Sequence, residues 1–510
     1  MRTHTTRTLA AILVTALLAV AAGCKVTSED VERWKGTQKG PGKLVAVLLA
    51  DKYPIELRQQ AALALIEMER GDVDGLQELQ RALHRLDDET QAQIIDGITP
   101  GLVRLMAGAG AAQPSPTGEM PPPTAQQKRA KDAAYLLIAR ARPATRQVLT
   151  EAVVGWFVQD FGGRSLAGNY SAEQVVRSLG APGAAVLVSA LNARMPKEAL
   201  VKVAELIGQL ADAQTKQRTA ERLIEIEREM ESDAYLEWMR GPIRAQLQAA
   251  GRAVDEQRVN TIASLNRESF INDAALPAMK FLGDQPAVSA RLLEIALQPS
   301  REGDPLTERR TRALKALEGH AVAGQLQRLL DIALDPNAPT GVRDYAFDRI
   351  ADIRSPAALP RLWPLVSSTS DWRLRWRAGE MVLQIGGTAV VGEFFQKLPA
   401  GRDAKYAAEE LLGYATRLGQ MSPLPTEVVR SQLQSPDWFK RIIALRYYER
   451  KGTLADVPLL QALTNDNTAV AAPEGARWEP NYTVGKAAEA SIRGLLERLG
   501  TAGAQPQQGG

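Results

Sequence analysis

Apolar residues along most of this chain return every three or four positions. Val73, Leu76, Leu79, Leu83 and Leu86 trace one such stripe, the mark of an amphipathic helix with a period near 3.6. Strict alternation, which would mark strands, is scarce. Ala, Leu, Gln, Glu and Arg dominate, and all of them favour helices. Helix-length segments separated by Gly- or Pro-marked turns recur from residue 44 onward. The pattern predicts an all-α fold, and such recurrence is the usual sign of internal repeats.

The repeats are present. Shifted by 32, residues 342–366 superpose on later ones: Val342 on Leu374, Ala346 on Ala378, Ile350 on Val382, Ile353 on Ile385. The second half follows, with Leu359 on Val391, Leu362 on Phe394, Trp363 on Phe395 and Val366 on Leu398. A backward shift of 33 reads Arg309, Ala313, Leu317, His320, Leu326, Leu329, Leu330 and Ala333. A forward shift of 98, about three periods, reads Lys440, Ala444, Tyr448, Lys451, Val457, Pro458, Leu460 and Gln461. Pro360 and Pro458 coincide near the start of the second helix, where a missing N–H costs little. Each unit is therefore two short helices joined by a tight turn. Neither helix buries its face alone, so the expected architecture is an α-solenoid of stacked antiparallel helix pairs.

A small Ala at the centre of each first helix lets neighbours approach closely. The pattern resembles the HEAT repeat family, particularly the short bacterial type first recognised in bilin lyases. It is regular over 265–500. It recurs in 44–106, where LRQQAALALIEM (57–68) and the helix 73–86 make another pair. Residues 127–264 read as helical but fit the period poorly. Two interruptions stand out. Residues 107–126, with five Pro and three Gly, read as a linker or long exposed loop. Residues 465–483 stretch the step from Ala444 to Ala488 to 44 residues, and insertions in solenoids map to loops on one face, often the binding face. The tail 501–510 reads as disordered.

The first 24 residues, MRTHTTRTLAAILVTALLAVAAGC, follow another pattern. Arg2 and Arg7 form a basic start, and Leu9 to Ala22 is an uncharged, mostly apolar run. It is shorter than the about 20 residues a membrane span needs, and it ends in small residues, as a signal peptide does. Ala21-Ala22-Gly23-Cys24 resembles a bacterial lipobox, with Ala where Leu is commonest at the first position. The resemblance implies a signal peptide over 1–23, diacylation of Cys24, and acylation of the new amine. Lys25, rather than Asp, then implies the outer membrane, facing the periplasm. One acyl chain anchors marginally and several anchor stably. The alternative is an ordinary secretory signal with a free, buried Cys. Residues 24–43 read as a lipidated tether, reaching at most roughly 60 Å, with Trp34 at the headgroup level or docked on the domain. More broadly, the chain is similar to the HEAT-repeat lipoproteins of myxobacteria-like organisms.

Composition narrows the chemistry. Among 510 residues there are one Cys and three His, which leaves no disulfide framework and no Cys-based zinc site. His320 takes the place of Ile353 and Ile385 in its unit and His84 borders a helix face, so both read as structural; His4 belongs to the signal. A formal charge of +3, with no block of five or more like charges, argues against nucleic acid as a partner. No nucleophile elbow, HExxH, P-loop or dinucleotide fingerprint occurs, so no metal or cofactor is expected. Gly162-Gly163 reads as a helix stop. Carboxylate pairs such as Glu409-Glu410, and Glu225 with Glu229, are expected on solvated helix faces.

Arginine and tryptophan carry the remaining leads. Arg58, Arg310, Arg343, Arg375 and Arg441 all occupy the place just after the first, usually apolar, position of a first helix in the repeat alignment. They form either an inter-repeat ladder, each bonding helix-end carbonyls or a neighbour's acid, or a basic strip along the concave surface. Five of the eight Trp lie between 363 and 478. Trp372 and Trp438 are equivalent in the repeat, each preceded by an Asp. Either they staple one unit to the previous one, or, with Trp376, Arg373 and Arg377, they form an exposed platform of the Trp/Arg kind found at protein–protein hot spots. Trp478, in the inserted loop, is claimed by no helix face. These features favour a membrane-tethered, non-enzymatic scaffold that binds another cell-envelope protein. The alternatives are an enzyme or lyase-like subunit acting on a bulky ligand, or a binder of an anionic envelope glycan.

Overall fold

The computed structural model describes residues 26–68, 74–108, 121–159, 161–367, 371–400, 408–470 and 482–502. Cys24 and Trp478 lie outside them. The described residues are helical apart from turns and one isolated antiparallel bridge, Ala469 with Thr483. No described helix is long and apolar enough to cross a membrane. The chain divides into two compact units, one up to Gln285 and one from Pro286.

The first unit holds α1 (Ser28–Trp34), α2 (Gly40–Leu49), α3 (Ile55–Glu67), α4 (Gly75–Leu83), α5 (Asp88–Ala107), α6 (Ala125–Ile138) and α7 (Pro143–Gln159). It continues with α8 (Ala172–Leu179), α9 (Ala181–Ala190), α10 (Lys197–Leu210), α11 (Ala213–Glu231), α12 (Asp233–Ala249), α13 (Glu256–Phe270) and α14 (Leu276–Lys280). A π turn, Ile271–Ala275, joins the last two.

The stretch read from sequence as a tether is folded from Ser28 onward. Thr27 and Asp30 form a reciprocal capping box at the start of α1, which satisfies donors that a helix end leaves open. Val31 is fully buried, α1 packs on α3, and Lys35 forms an ion pair with Glu67 of α3. Trp34 is half-buried, with the Lys43 ammonium 5.0 Å from its ring centroid. Apolar spacing over so short a helix is a weak signal, and here the cap and the tertiary contact outweigh it.

Helix α5 lies close against α3 because Gly97 and Gly101, one turn apart, carry no side chain. A Cβ on Gly101 would sit 2.7 Å from Leu63 Cδ2. Further along, two buried charges tie the 164–170 turn to α6. Lys131, inaccessible to solvent, pairs with Asp132 at 2.9 Å and donates to Ala167 O and Tyr170 O. Asp132 accepts from Asn169 N–H at 2.8 Å. Gly168 holds φ +86°, and a Cβ there would lie 2.7 Å from Asp132 Oδ1.

The second unit holds α15 (Pro286–Ala296), α16 (Pro305–Ala316), α17 (Leu326–Leu334), α18 (Thr340–Ile353), α19 (Leu359–Val366) and α20 (Trp372–Gly386). After these come α21 (Val391–Lys397), α22 (Ala408–Gly419), α23 (Thr426–Gln432), α24 (Trp438–Lys451), α25 (Val457–Gln461) and α26 (Val484–Ala502). The helices α16, α18, α20, α22, α24 and α26 pack in succession, and α17, α19, α23 and α25 each lie against the first helix of the following pair. These are HEAT-like repeats. Ala313, Ala346, Ala378 and Ala444, one on each of four first helices, are all inaccessible. Pro360 and Pro458 fall in the opening positions of α19 and α25.

The pair α22 and α23 falls between the 32- and 98-residue shifts and departs from the pattern. One 33-residue step from Ala378, and one before Ala444, the chain has Leu411 instead of Ala. Close approach is achieved differently here. Gly379 of α20 opens a space for Tyr414 of α22, whose ring carbon would lie 2.6 Å from any added Cβ.

The α20–α22 contact also contains a buried ion pair, Arg375 with Glu410. Removing one partner strands the other charge in the core, whereas replacing both with apolar residues can be neutral. Arg375→Met should therefore lower unfolding free energy by about 3–5 kcal/mol, and Arg375→Met/Glu410→Leu should recover most of that loss. Urea denaturation of the two variants checks this, and an unshifted midpoint for the single variant would refute it.

Candidate functional site

Helix α20 assembles the aromatic and basic side chains singled out in the sequence. Asp371 caps it, accepting from Leu374 N–H at 3.0 Å, while its other oxygen accepts from the Arg343 guanidinium at 3.0 Å. Burial opposes the charge on Asp371, but these two donors together hold its carboxyl below the ordinary range. Trp372 is the first helical residue and Trp376 lies one turn later. Their rings stack with centroids 6.3 Å apart and planes at 12°, and both are half-buried.

The two nearby arginines differ. Arg373 keeps 53% of its side chain exposed, with Asp344 3.7 Å away, a separation and exposure at which a pair contributes little. Arg377 donates to Asp344 O at 3.3 Å and pairs with Asp348, both on α18. Arg377 thus joins α20 to α18, and Arg373 faces solvent beside the indole stack.

Behind the stack, α22 fixes it in place. Arg375 donates to both Glu410 oxygens at 2.9 Å, with neither side chain accessible. Tyr414 donates to Glu410 Oε1 at 3.0 Å. Burial pushes the Glu410 carboxyl above its ordinary range, against the downward pull of Arg375 and Tyr414. The sequence placed Glu410 on a solvated face; the structure corrects this, because α22 turns that face into the α20 contact. Gly413 adjoins the same contact. A Cβ there would sit 2.5 Å from Trp376 Nε1 and 2.8 Å from Glu380 Oε1. Burial also raises the Glu380 carboxyl, opposed by Arg377 and Arg417.

The repeated arginines end inside the fold. Arg58 donates to Leu48 O at 2.9 Å, Arg310 to Ala296 O at 2.8 Å, Arg343 to Ala333 O at 3.4 Å and Arg441 to Ser435 O at 2.5 Å. The first three of these acceptors lie in the last turn of the preceding helix, and the fourth lies just beyond one. Arg58, Arg310, Arg375 and Arg441 are buried, and Arg343 is nearly so. They do not make an exposed basic strip.

Trp438 occupies the same helix position as Trp372 but has different company. Asp437 caps α24 by accepting from Phe439 N–H at 3.0 Å, and the Trp438 ring meets Phe439 edge-on at 5.6 Å. No ring contact joins it to the 372/376 pair among the described residues. His84, exposed, accepts from Arg140, and His320 lies half-buried in the turn after α16. No described group of three or more His, Cys, Asp or Glu is placed to hold a metal.

The first unit contains a feature that the sequence did not signal, a cavity of about 820 Å³. Leu63 of α3, Gly101, Arg104 and Leu105 of α5, Pro122 and Arg164 contribute to its wall. These residues come from four separate stretches. Only the Gly97/Gly101 spacing, small residues one turn apart, hinted that two helices close up here.

No protein-family model matches the chain, and no curated protein matches it. Solved structures similar to it include a mutant of Kap121p, at 13% identity and TM-score 0.39, covering 98% of this chain and 53% of that one. The karyopherin Kap121p bound to the SUMO protease Ulp1p has 14% identity and TM-score 0.34, with 99% and 50% covered. This chain spans about half the length of those karyopherin chains. The stacked helix pairs are seen in the packing of the chain itself.

Gly379→Ala tests how the site is held. The added Cβ meets the Tyr414 ring, and overpacking of this kind costs about 1–3 kcal/mol. The expected result is a lower melting temperature with a shifted Trp emission, as Tyr414 and the neighbouring Trp376 move. An unchanged melt and spectrum would show that α22 does not fix the stack.

Proposed function

We propose that this protein is a membrane-tethered, non-enzymatic scaffold that binds another protein of the cell envelope. The observation that carries the binding surface is the parallel stack of Trp372 and Trp376 beside exposed Arg373. Flat aromatic area and a guanidinium are the groups that dominate protein–protein affinity when a partner removes them from water. The stack sits on a helix, fixed from behind by buried contacts, so little side-chain freedom is lost on binding. The anchor reading rests on the lipobox resemblance at Ala21-Ala22-Gly23-Cys24, and Lys25 after the Cys supports an address at the outer membrane facing the periplasm.

Two measurements test this function separately. Capture of an envelope protein from membrane extracts should fall at least about tenfold for Trp372→Ala/Arg373→Ala. The melting temperature should stay near that of the wild type, since neither side chain is fully buried. Equal capture by the double variant removes the surface. Growth with a labelled fatty acid should mark the wild-type chain and leave Cys24→Ser unlabelled; label on the variant removes the anchor.

A further inference from the structure

The cavity of the first unit contains a charge imbalance. Arg164 is 2% exposed and belongs to the cavity wall. Its guanidinium lies 5.1 Å from the Trp156 ring centroid and donates to Pro121 O at 3.3 Å. Its Nε has no hydrogen-bond partner among the described residues. A carbonyl and a π face attract a cation but do not neutralise it, and an unpaired buried charge is costly. Arg104, on the same wall, is exposed and donates to Pro100 O at 3.4 Å. Among the described wall residues the carboxylate is Glu67, and it is already paired with Lys35.

The rest of the wall is mainly apolar. Leu63, Leu105 and Pro122 line it, and its volume falls within the range of small-molecule sites. Position matters as much as composition. The 164–170 turn is tied to α6 by Lys131 and Asp132, so Arg164 is presented from a fixed backbone. Trp156 Nε1 donates to Arg164 O and adds a second restraint. Such support from behind is what holds a binding group in one geometry.

We infer that this cavity binds a single-chain anionic amphiphile, with the head group between Arg164 and Arg104 and the chain along Leu63, Leu105 and Pro122. A planar guanidinium bonds an oxyanion with two parallel N–H donors. The apolar wall gains from covering a hydrocarbon chain, roughly 25 cal/mol per Å² of apolar surface removed from water. The site is independent of the Trp372/Trp376 surface.

Calorimetric titration of the full chain carrying Cys24→Ser, which needs no competing detergent, tests the inference with three probes. Dodecanoate should bind one to one, at least tenfold tighter than dodecanol and than acetate. Arg104→Gln should weaken dodecanoate at least fivefold with an unchanged melt, because that side chain is exposed. Leu105→Trp, which fills the cavity, should abolish binding. Emission from Trp156, beneath Arg164, should shift on saturation. Dodecanol binding as tightly as dodecanoate would overturn the head-group assignment, and acetate doing so would overturn the chain assignment. No dodecanoate binding, or binding that survives both variants, would overturn the inference as a whole.

Discussion

The guanidinium of Arg375 and the carboxylate of Glu410 meet out of reach of water, and the second unit is organised around that meeting. Two charges brought into a low-dielectric interior gain little net stability over apolar residues, but they tolerate few other arrangements. A bidentate pair fixes both the distance and the rotation of one helix against the other. Tyr414 reinforces the pair from α22, and Gly379 makes room for its ring. As a result, Trp376 and Glu380 lie over Gly413 and the indole stack has a rigid backing. Further along α20, Arg377 reaches the acids of α18, so the helix carrying the candidate surface is fixed on both sides.

Much of this organisation was legible in the sequence. The recurrence of Ala313, Ala346, Ala378 and Ala444 marked the first helices, and those alanines are all inaccessible to solvent. The recurring Arg position was visible as well, although periodicity alone does not distinguish a buried guanidinium from an exposed one. The partners decide that, and Glu410 lies 35 residues from Arg375 in a repeat whose Ala has become Leu411. An acid beside another acid reads as solvated until its helix is docked. Trp372 and Trp438 show the same limit. Equivalent in the repeat and alike in their Asp caps, they part because one meets Trp376 and the other Phe439.

The cavity was illegible for a different reason. Its wall comes from α3, α5, the residues before α6 and the turn after α7, and no local pattern links Leu63, Arg104, Pro122 and Arg164. Charges buried near Arg164 explain how such a wall persists. Lys131 meets two carbonyls and a carboxylate, and Asp132 meets backbone N–H groups, so each ion is satisfied locally and the turn they hold is fixed. Helix α1 was missed because so short a segment gains its stability from its capping box and from docking on α3, which outweigh its weak intrinsic preference.

The antiparallel bridge Ala469–Thr483 closes the two ends of the insertion on each other. Val470 N–H donates to Tyr482 O and Val484 N–H to Thr468 O, each at 3.0 Å, so the chain leaves and re-enters the stack at one fixed point. Joining two points along a chain costs only about 0.6 kcal/mol more for each doubling of the length between them. The bridge therefore sets the two ends of the insertion next to each other. Because the two ends are already held together, a change in the length of the insertion asks for no new span between them, which makes this junction the place where the chain can be lengthened or shortened at least cost to the way α26 enters the stack.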